Sequence, residues 1–326
     1  MRRREFLAVL SSSVLGFSPL ARAQSSGARR IAVLMDTPQD QRGEPRLAAF
    51  IQSLSDLGWS RGEKLEIEVR WGGNTPVRAR ALAAELLSLR PDVILASASP
   101  STSALIQSGT ETPVVFVLVT DPVGAGFVNN LARPGGNVTG FTLFEYSIAG
   151  KWLELLKEFS PDLRRVGILR DAGVAAGAGQ FGVIQAAAGP NIEVRPMAVG
   201  NRQEIEQGFS AFSPGPRDGI IVTATPLASI GRETIISLAN RFRVPTVFPY
   251  RHFVLAGGLA SYGPDLTEPF RRAANYVSRI LQGEKPSNLP VQAPTNYSLA
   301  INMRTAASLG LNVPSTIAAR ADEVIE

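Results

Sequence analysis

The chain has 326 residues, of which 44% are hydrophobic and 19% charged, so it is long enough to form two domains with separate cores. It contains no cysteine and a single histidine, which excludes disulfides, cysteine-ligated zinc, iron–sulfur clusters and multi-histidine metal sites. The formal net charge is +5, but residues 1–23 contribute +3 of it, from Arg2, Arg3, Arg4 and Arg22 against Glu5. The remaining surplus does not predict a nucleic-acid-binding surface.

Residues 1–23 have the three regions of a secretory signal: a cationic start, an apolar middle and the small-residue ending Ala21-Arg22-Ala23. Cleavage is expected after about Ala23. The stretch Arg3-Arg4-Glu5-Phe6-Leu7 resembles the twin-arginine motif, although Arg2 and Ala8 depart from the flanking residues usual in it, so the general secretory route stays open. The apolar middle of about 15 residues is short for a membrane span of about 20. We expect a soluble, periplasmic mature protein.

Short apolar runs alternate with helical stretches in the first half of the mature chain. Strands are predicted at residues 31–35, 65–71, 93–96 and 114–119, and helices at 44–57, at 76–89 and from Ser101. Residues 65–71 alternate polar and apolar side chains, which predicts a strand with one wet face near an edge. The other runs are typical of strands buried on both faces. This order predicts a doubly wound parallel sheet.

The same pattern restarts in the second half and predicts a second lobe of the same class. Strands are predicted at residues 166–169, 192–197, 219–223 and 245–248, and helices at 151–159, 180–188, 204–212 and 232–242. The turn-rich residues 133–140 and the glycine-rich residues 257–263 are typical of crossings between lobes. We therefore expect lobe 1 at 28–141 plus about 259–290, lobe 2 at 142–258 plus about 291–326, and a ligand cleft between them.

Polar residues follow several strands of the first lobe, where an open parallel sheet binds its ligands. Ser97, Ser99 and Ser101 stand at a helix start, where free N–H groups suit an anion, although such hydroxyls also serve as plain helix caps. Asp121 follows the next strand with Thr120. It is placed to meet a ligand ammonium, or else to cap a helix beginning near Val123.

The second lobe offers Arg170-Asp171, Thr225 and the run Pro249-Tyr250-Arg251-His252-Phe253. Tyr250 could stack on a ligand ring or belong to the core, and Arg251 could bind a ligand carboxylate or a surface acid. We interpret His252 as structural. Asp36 and Asp40 resemble the acidic loop of a sugar or nucleoside site only weakly.

Catalytic patterns are absent from the sequence. It has no Gly-x-Ser-x-Gly elbow, no P-loop and no glycine fingerprint after the first strand, which argues against a hydrolase, a nucleotide hydrolase and a dinucleotide enzyme respectively. The polar groups therefore indicate binding of a solute without a cofactor or a metal. An exported enzyme acting on a small metabolite is the alternative.

Several stretches together resemble one known family. From about Arg30 to Glu326 the chain resembles the solute-binding proteins of ABC transporters, in the family that includes tryptophan- and phenylalanine-binding members. The stretches that carry the resemblance are residues 121–127 (DPVGAGF), 131–140 (LARPGGNVTG), 150–156 (GKWLELL), 257–265 (GGLASYGPD) and 321–326 (ADEVIE).

The resemblance implies two lobes joined by three crossing segments, a small amino-acid-like or aromatic ligand, and a permease and a cytoplasmic ATPase as partners. A module that feeds a sensor kinase is a further alternative, and we expect a monomer. The chain departs from the family at Asp171-Ala172, where Asn-Pro is usual, at Thr225, often a carboxylate, and at Thr120, commonly glycine. The predicted ligand-binding residues are Asp36, Ser97, Ser99, Ser101, Thr120, Asp121, Asp171, Thr225, Tyr250 and Arg251.

Overall fold

The structure is a computed structural model that describes residues 28–40, 42–62 and 64–326. The predicted export signal at residues 1–23 lies outside the described residues. Within these ranges, no helix has both the length and the apolar character needed to cross a membrane. The described chain forms two β-sheets flanked by helices, which confirms the predicted class of two α/β lobes.

The first sheet contains five parallel strands in the order β2-β1-β3-β4-β5. Its strands are β1 (Arg29–Leu34), β2 (Leu65–Arg70), β3 (Val93–Ser97), β4 (Val114–Val119) and β5 (Val138–Thr142), and the helices between them are α1 (Gly43–Asp56), α2 (Pro76–Ser88) and α3 (Ala98–Gln107). Strand β2 lies at the edge of the sheet, as its alternating pattern predicts. One of its faces is exposed to solvent, so only the other has to be apolar.

Successive residues of β1 point to opposite faces of this sheet and enter different cores. Ile31 and Val33 pack in a core that contains Phe50 of α1, whereas Leu34 packs on the other face with Ala79 of α2. All of these side chains are fully buried. The continuous apolar run is therefore required, since helices cover both faces of the strand.

The second sheet contains seven strands in the order β12-β11-β10-β9-β8-β6-β7. The strands are β6 (Arg165–Arg170), β7 (Glu193–Ala198), β8 (Asp218–Val222), β9 (Thr246–Phe248), β10 (Ala260–Pro264), β11 (Tyr297–Asn302) and β12 (Glu323–Ile325). The helices of this lobe are α4 (Ile148–Phe159), α5 (Ala175–Ala188), α6 (Arg202–Phe212), α7 (Pro226–Ile230), α8 (Arg232–Arg241), α9 (Arg251–Leu255), α11 (Met303–Ser308) and α12 (Ser315–Arg320).

The return crossing to the first lobe lies later than the sequence predicts. Residues 259–264 were expected in lobe 1, but β10 pairs with β9 and β11 in the second sheet, so the chain leaves that lobe only after Pro264. Helix α10 (Glu268–Leu281) then packs against α1 and β4, where Phe270 and Val277 enter the first-lobe core. The glycine-rich pattern of residues 257–263 therefore indicated a tight strand entry, not the crossing itself.

The last crossing explains why β11 is antiparallel to β10 in an otherwise parallel arrangement. The chain leaves the second sheet at the carboxyl end of β10 and returns at the same end, so β11 has to run in the opposite direction. On its way back, Gln292 pairs with the end of β5: its N–H donates to Gly140 O at 3.0 Å, and its carbonyl accepts from Thr142 N at 2.8 Å. The crossing segments thus run side by side.

Candidate functional site

Loops from the carboxyl ends of both sheets form the candidate site. In the first lobe, Asp36 follows β1, Ser97 ends β3 and Thr120 follows β4. In the second lobe, Asp171 follows β6 and Tyr250 comes two residues after β9. Ligands of open parallel sheets bind beyond these strand ends, so two such rims provide the two walls of a cleft.

Ser97 joins two loops of the first wall. Its Oγ donates a hydrogen bond of 2.5 Å to Asp36 Oδ1, and it makes no side-chain cap on α3, although it occupies the N-cap position. The alternative that Ser97 is a plain helix cap is therefore not what the structure shows. The next residue, Ala98, has φ of +64°, a left-handed conformation that costs free energy in a residue with a Cβ. Such strain is a frequent feature of binding loops.

Ser99 and Ser101 differ in what their hydroxyls do. Ser101 is fully buried and its Oγ donates to the carbonyl of Gly73 at 3.3 Å, which fastens α3 to the loop after β2. A Cβ on Gly73 would lie 2.8 Å from this Oγ, so the contact needs glycine. Ser99 is half-buried, and its hydroxyl has no hydrogen bond with any residue that the structure describes. Ser99 is thus the one of the two that is available to a ligand.

Asp121 does not cap a helix, because residues 122–126 form consecutive turns and no helix begins near Val123. Its Oδ1 accepts a hydrogen bond of 2.8 Å from Gly124 N, which leaves its other oxygen without this bond. The pKa of Tyr146 is raised by burial and, to a smaller extent, by the charge of Asp121. The carboxylate therefore faces a tyrosine that follows the first crossing. Thr120 beside it is half-buried.

In the second wall, Asp171 and Thr225 make hydrogen bonds that fix their own loops. Asp171 Oδ1 accepts from Gly173 N at 2.8 Å and shapes the loop before α5. Thr225 is 2% exposed and its Oγ1 accepts from Ala228 N at 3.3 Å, as the N-cap of α7. Thr225 thus acts as a helix cap in this structure.

Tyr250 and His252 form an aromatic stack at the start of α9. Their ring centroids are 5.6 Å apart, and His252 stacks on Phe253 at 4.6 Å on its other side. Burial raises the pKa of Tyr250, while the Arg46 guanidinium lowers it. Burial lowers the pKa of His252 to about 4, followed by the charges of Arg232, Arg46 and Arg42. Tyr250 thus lies at the cleft and His252 is uncharged at neutral pH.

Arg251 points away from this stack. Its guanidinium forms a bidentate ion pair with Glu323 in β12, with 2.6 Å between Nη2 and Oε1. Of the two roles left open by the sequence, pairing with a surface acid is the one observed. The structure therefore does not bring Arg251 together with the other predicted site residues.

Arg46 lies at the site but was not among the residues predicted from the sequence, although its pattern carries a signal. Helix α1 buries Gly43, Phe50 and Leu54, and Arg46 lies on the same face at helical spacing. A charged side chain in the first turn of a core-facing helix, beside a strand's carboxyl end, could have identified it. Burial lowers the pKa of Arg46, while the nearby Asp36 carboxylate and Tyr250 phenol raise it, so the guanidinium lies near residues of both lobes.

A further cavity lies apart from this cleft. A cavity of about 200 Å³ lies among the crossing segments and is lined by Thr142, Asp265 and Gln292. Arg272 in its lining donates to the carbonyl of Ala293 at 3.3 Å, so this guanidinium is engaged within the crossing segments. Among the described residues, no cluster of three or more His, Cys, Asp or Glu could hold a metal ion.

The comparisons with known proteins agree with the two-lobed α/β fold. A tyrosine-binding protein of Clostridioides difficile is 27% identical over 269 residues, which is 80% of this chain and 75% of that protein. A conserved domain protein of Vibrio cholerae has a similar structure, with TM-score 0.82, 27% identity and coverage of 91% of this chain and 100% of that chain.

An ABC domain of Streptococcus pneumoniae in complex with L-Trp shares the fold at TM-score 0.82, with 24% identity and coverage of 92% of this chain and all of that chain. The family model described as ABC transporter substrate binding protein matches residues 31–325, nearly the whole of the part that the structure describes. The chain belongs to the ABC transporter substrate-binding protein family.

Proposed function

We propose that this protein is the exported, extracytoplasmic component of an ABC uptake transporter. It captures a small polar or aromatic metabolite, of the size and kind of an amino acid, by closing its two lobes. A membrane permease with a cytoplasmic ATPase then accepts the solute from the closed form. The observation that carries the proposal is that polar loops follow the carboxyl ends of two separate sheets in a chain of this family.

Each wall contributes groups suited to holding a solute. In the first lobe, Ser99, Thr120 and Asp121 are half-buried, and the carboxylate of Asp121 suits an ammonium group. In the second lobe, Tyr250 offers a buried ring for an apolar side chain or a ring of the ligand. A ligand shifts the lobes towards closure only by binding the closed form better than the open form, which contacts on both walls provide.

The proposal is tested by a thermal-shift screen of the mature protein with amino acids, aromatic acids and nucleosides. A true ligand at about 100 times its dissociation constant stabilises the folded state by about 2.7 kcal/mol. Asp121→Ala should weaken the binding of an amine-bearing ligand, while Asp162→Ala on the exposed surface serves as the control. A screen in which none of these solutes stabilises the protein contradicts the proposal.

Solute binding and catalysis are distinguished by recovering the ligand after incubation. Mass spectrometry should return the bound metabolite unchanged, because a carrier releases what it binds. A product that forms in proportion to the protein would instead support the exported enzyme.

Export is tested on the full chain expressed in its host. The precursor should be shortened after about Ala23 and the mature form recovered from the periplasm. If the twin-arginine route is used, replacing Arg3 and Arg4 by lysine should leave the precursor in the cytoplasm. Export that continues at the same level would indicate the general secretory route.

A further inference from the structure

Arg46 carries a charge that no described residue pairs with. Its side chain is half-buried on α1, and it forms neither an ion pair nor a hydrogen bond within the described ranges. Asp36 is the carboxylate with the strongest influence on it, but Asp36 already accepts a hydrogen bond from Ser97. Partial burial of an unpaired guanidinium is costly unless an anion completes the site.

The facing wall presents two further nitrogens without partners. Arg232, the first residue of α8, has a buried Nε with no hydrogen bond to any described residue, and the same holds for the buried Nε2 of His252. The carboxylate of Glu233 is 3.9 Å from Arg232 and is 89% exposed, so it does not neutralise the guanidinium effectively. Two unsatisfied donors or acceptors therefore lie on the second lobe.

Arg46 stands in the first turn of α1, beyond the carboxyl end of β1, and Arg232 begins α8, beyond the carboxyl end of β8, so each lies on the polar rim of its own sheet. Arg232 belongs to the second lobe and Arg46 to the first, and both depress the pKa of His252. Arg42 does so too, but its guanidinium is engaged by Asp40 at 2.8 Å. Among the described residues Arg46 has no ion pair and Arg232 has only the exposed Glu233 at 3.9 Å, so both guanidinium groups can take a further anion.

We propose that Arg46 and Arg232 together bind a carboxylate of the ligand, so that the transported solute is an organic acid. The inference rests on the proposed function and names the chemical class of its ligand. Guanidinium groups bind carboxylates through two parallel hydrogen bonds, which suits an anion held between them. Since one arginine comes from each lobe, the anion is attracted to both walls only when the lobes are closed. The carboxylate therefore supplies the preference for closure.

The test compares acids with their neutral amides on the mature protein. The probe pairs are benzoate with benzamide, L-phenylalanine with L-phenylalaninamide, and succinate with succinamide, each followed by thermal shift and calorimetry. At least one acid should bind more tightly than its amide. For that acid, Arg46→Gln should lower the affinity roughly 30-fold or more, because it removes one partner of a buried charge pair.

Three other variants complete the test. Arg46→Lys keeps the charge but not the forked geometry and should fall between wild type and Arg46→Gln. Arg202→Gln is the matched control, because Arg202 is 80% exposed on α6, so its loss should leave the affinity for the acid unchanged. Arg46→Met should melt at the same temperature as the ligand-free wild type or higher, since it removes an unpaired buried charge.

The outcomes separate this inference from the proposed function. A solute that stabilises wild type and Arg46→Gln equally, or an amide that binds as well as its acid, overturns the carboxylate site and leaves solute binding intact. A melting temperature that falls sharply in Arg46→Met, with unchanged affinity for the acid in Arg46→Gln, overturns it as well. If no acid stabilises the wild type while another solute of the screen does, the carboxylate site is overturned and the proposed function stands.

Discussion

The hydroxyl of Ser97 holds two loops of the first wall together, because it donates to Asp36 while the chain turns through the left-handed Ala98. This use of a serine at a helix start differs from capping and leaves the first N–H groups of α3 without a side-chain partner. The loop geometry of the first wall therefore depends on a contact between residues 61 positions apart.

Replacing Ser97 by alanine should destabilise the protein by about 1–3 kcal/mol, since a hydrogen bond to a charged group is lost and Asp36 keeps its charge. Urea unfolding of the ligand-free protein measures this. Ser99→Ala is the matched control and should change the free energy of unfolding by less than about 0.5 kcal/mol, because its hydroxyl has no partner among the described residues. Equal losses in the two variants would contradict the proposed role of Ser97.

His252 should make the folded state sensitive to acid. Its pKa is about 4 in the folded protein against 6.5 for the free side chain, so the unfolded chain binds more protons between these values. Stability due to the neutral imidazole is therefore complete above pH 6.5 and is lost as the pH falls towards 4, by at most about 3 kcal/mol.

Denaturant unfolding at a series of pH values measures this effect as the difference between wild type and His252→Asn. The variant removes the histidine titration but keeps the carboxylates that also contribute in acid. Its free energy of unfolding should fall less steeply than that of wild type across this interval. Parallel curves would contradict the lowered pKa that burial, and secondarily the nearby arginines, give to His252.

At the level of elements, strand β5 approaches β4 closely because Gly140 has no side chain. A Cβ at Gly140 would lie 2.0 Å from the carbonyl oxygen of Phe116, and its φ is +157°. The same strand end bonds to Gln292 in the last crossing. A side chain at position 140 would therefore disturb the crossing segment at Gln292 as well as the packing of β5 on β4.

Gly140→Ala should destabilise the protein by about 3 kcal/mol, since overpacking and an unfavourable backbone conformation add. Thermal or urea unfolding measures the loss. Gly136→Ala, four residues earlier, is the control, because no atom lies within 4 Å of the position that its new methyl group would take, and it should cost far less. Similar stabilities for the two variants would mean that β5 can shift away from β4.

For the whole molecule, the two-wall site predicts that a ligand changes the distance between lobes. The chain has no native cysteine, so dyes can be attached at introduced ones alone. A pair at the exposed Gln52 of α1 and Gln203 of α6 should report a new distance when the strongest stabilising acid is added. A pair within lobe 1, at Gln52 and Arg80, should not change. An unchanged inter-lobe distance would contradict ligand-induced closure.

The local sequence pattern predicted the alternation of strands and helices, because strands buried on both faces require continuous apolar runs. It also predicted the polar residues that follow these strands. It did not place β10 in the second sheet, since that depends on pairing with β9 and with the distant β11. Nor did it identify Arg46, whose pKa responds to Tyr250, a residue more than two hundred positions away in the sequence. The sequence also left the partner of Arg251 undecided, because Glu323 lies 72 residues away and meets it only in the folded chain.

The placement of α10 has a consequence for the order in which the protein can fold. Phe270 and Val277 cover the same face of the first sheet as Phe50, yet they are synthesised more than two hundred residues later. Likewise, β12 at the very end of the chain supplies the acid that anchors α9. A nascent chain that stops before residue 268 lacks α10, which covers the first sheet, and β12, which completes the second. Neither lobe can therefore finish folding before the other. Assembly therefore waits for the final segments, and the two halves should unfold together.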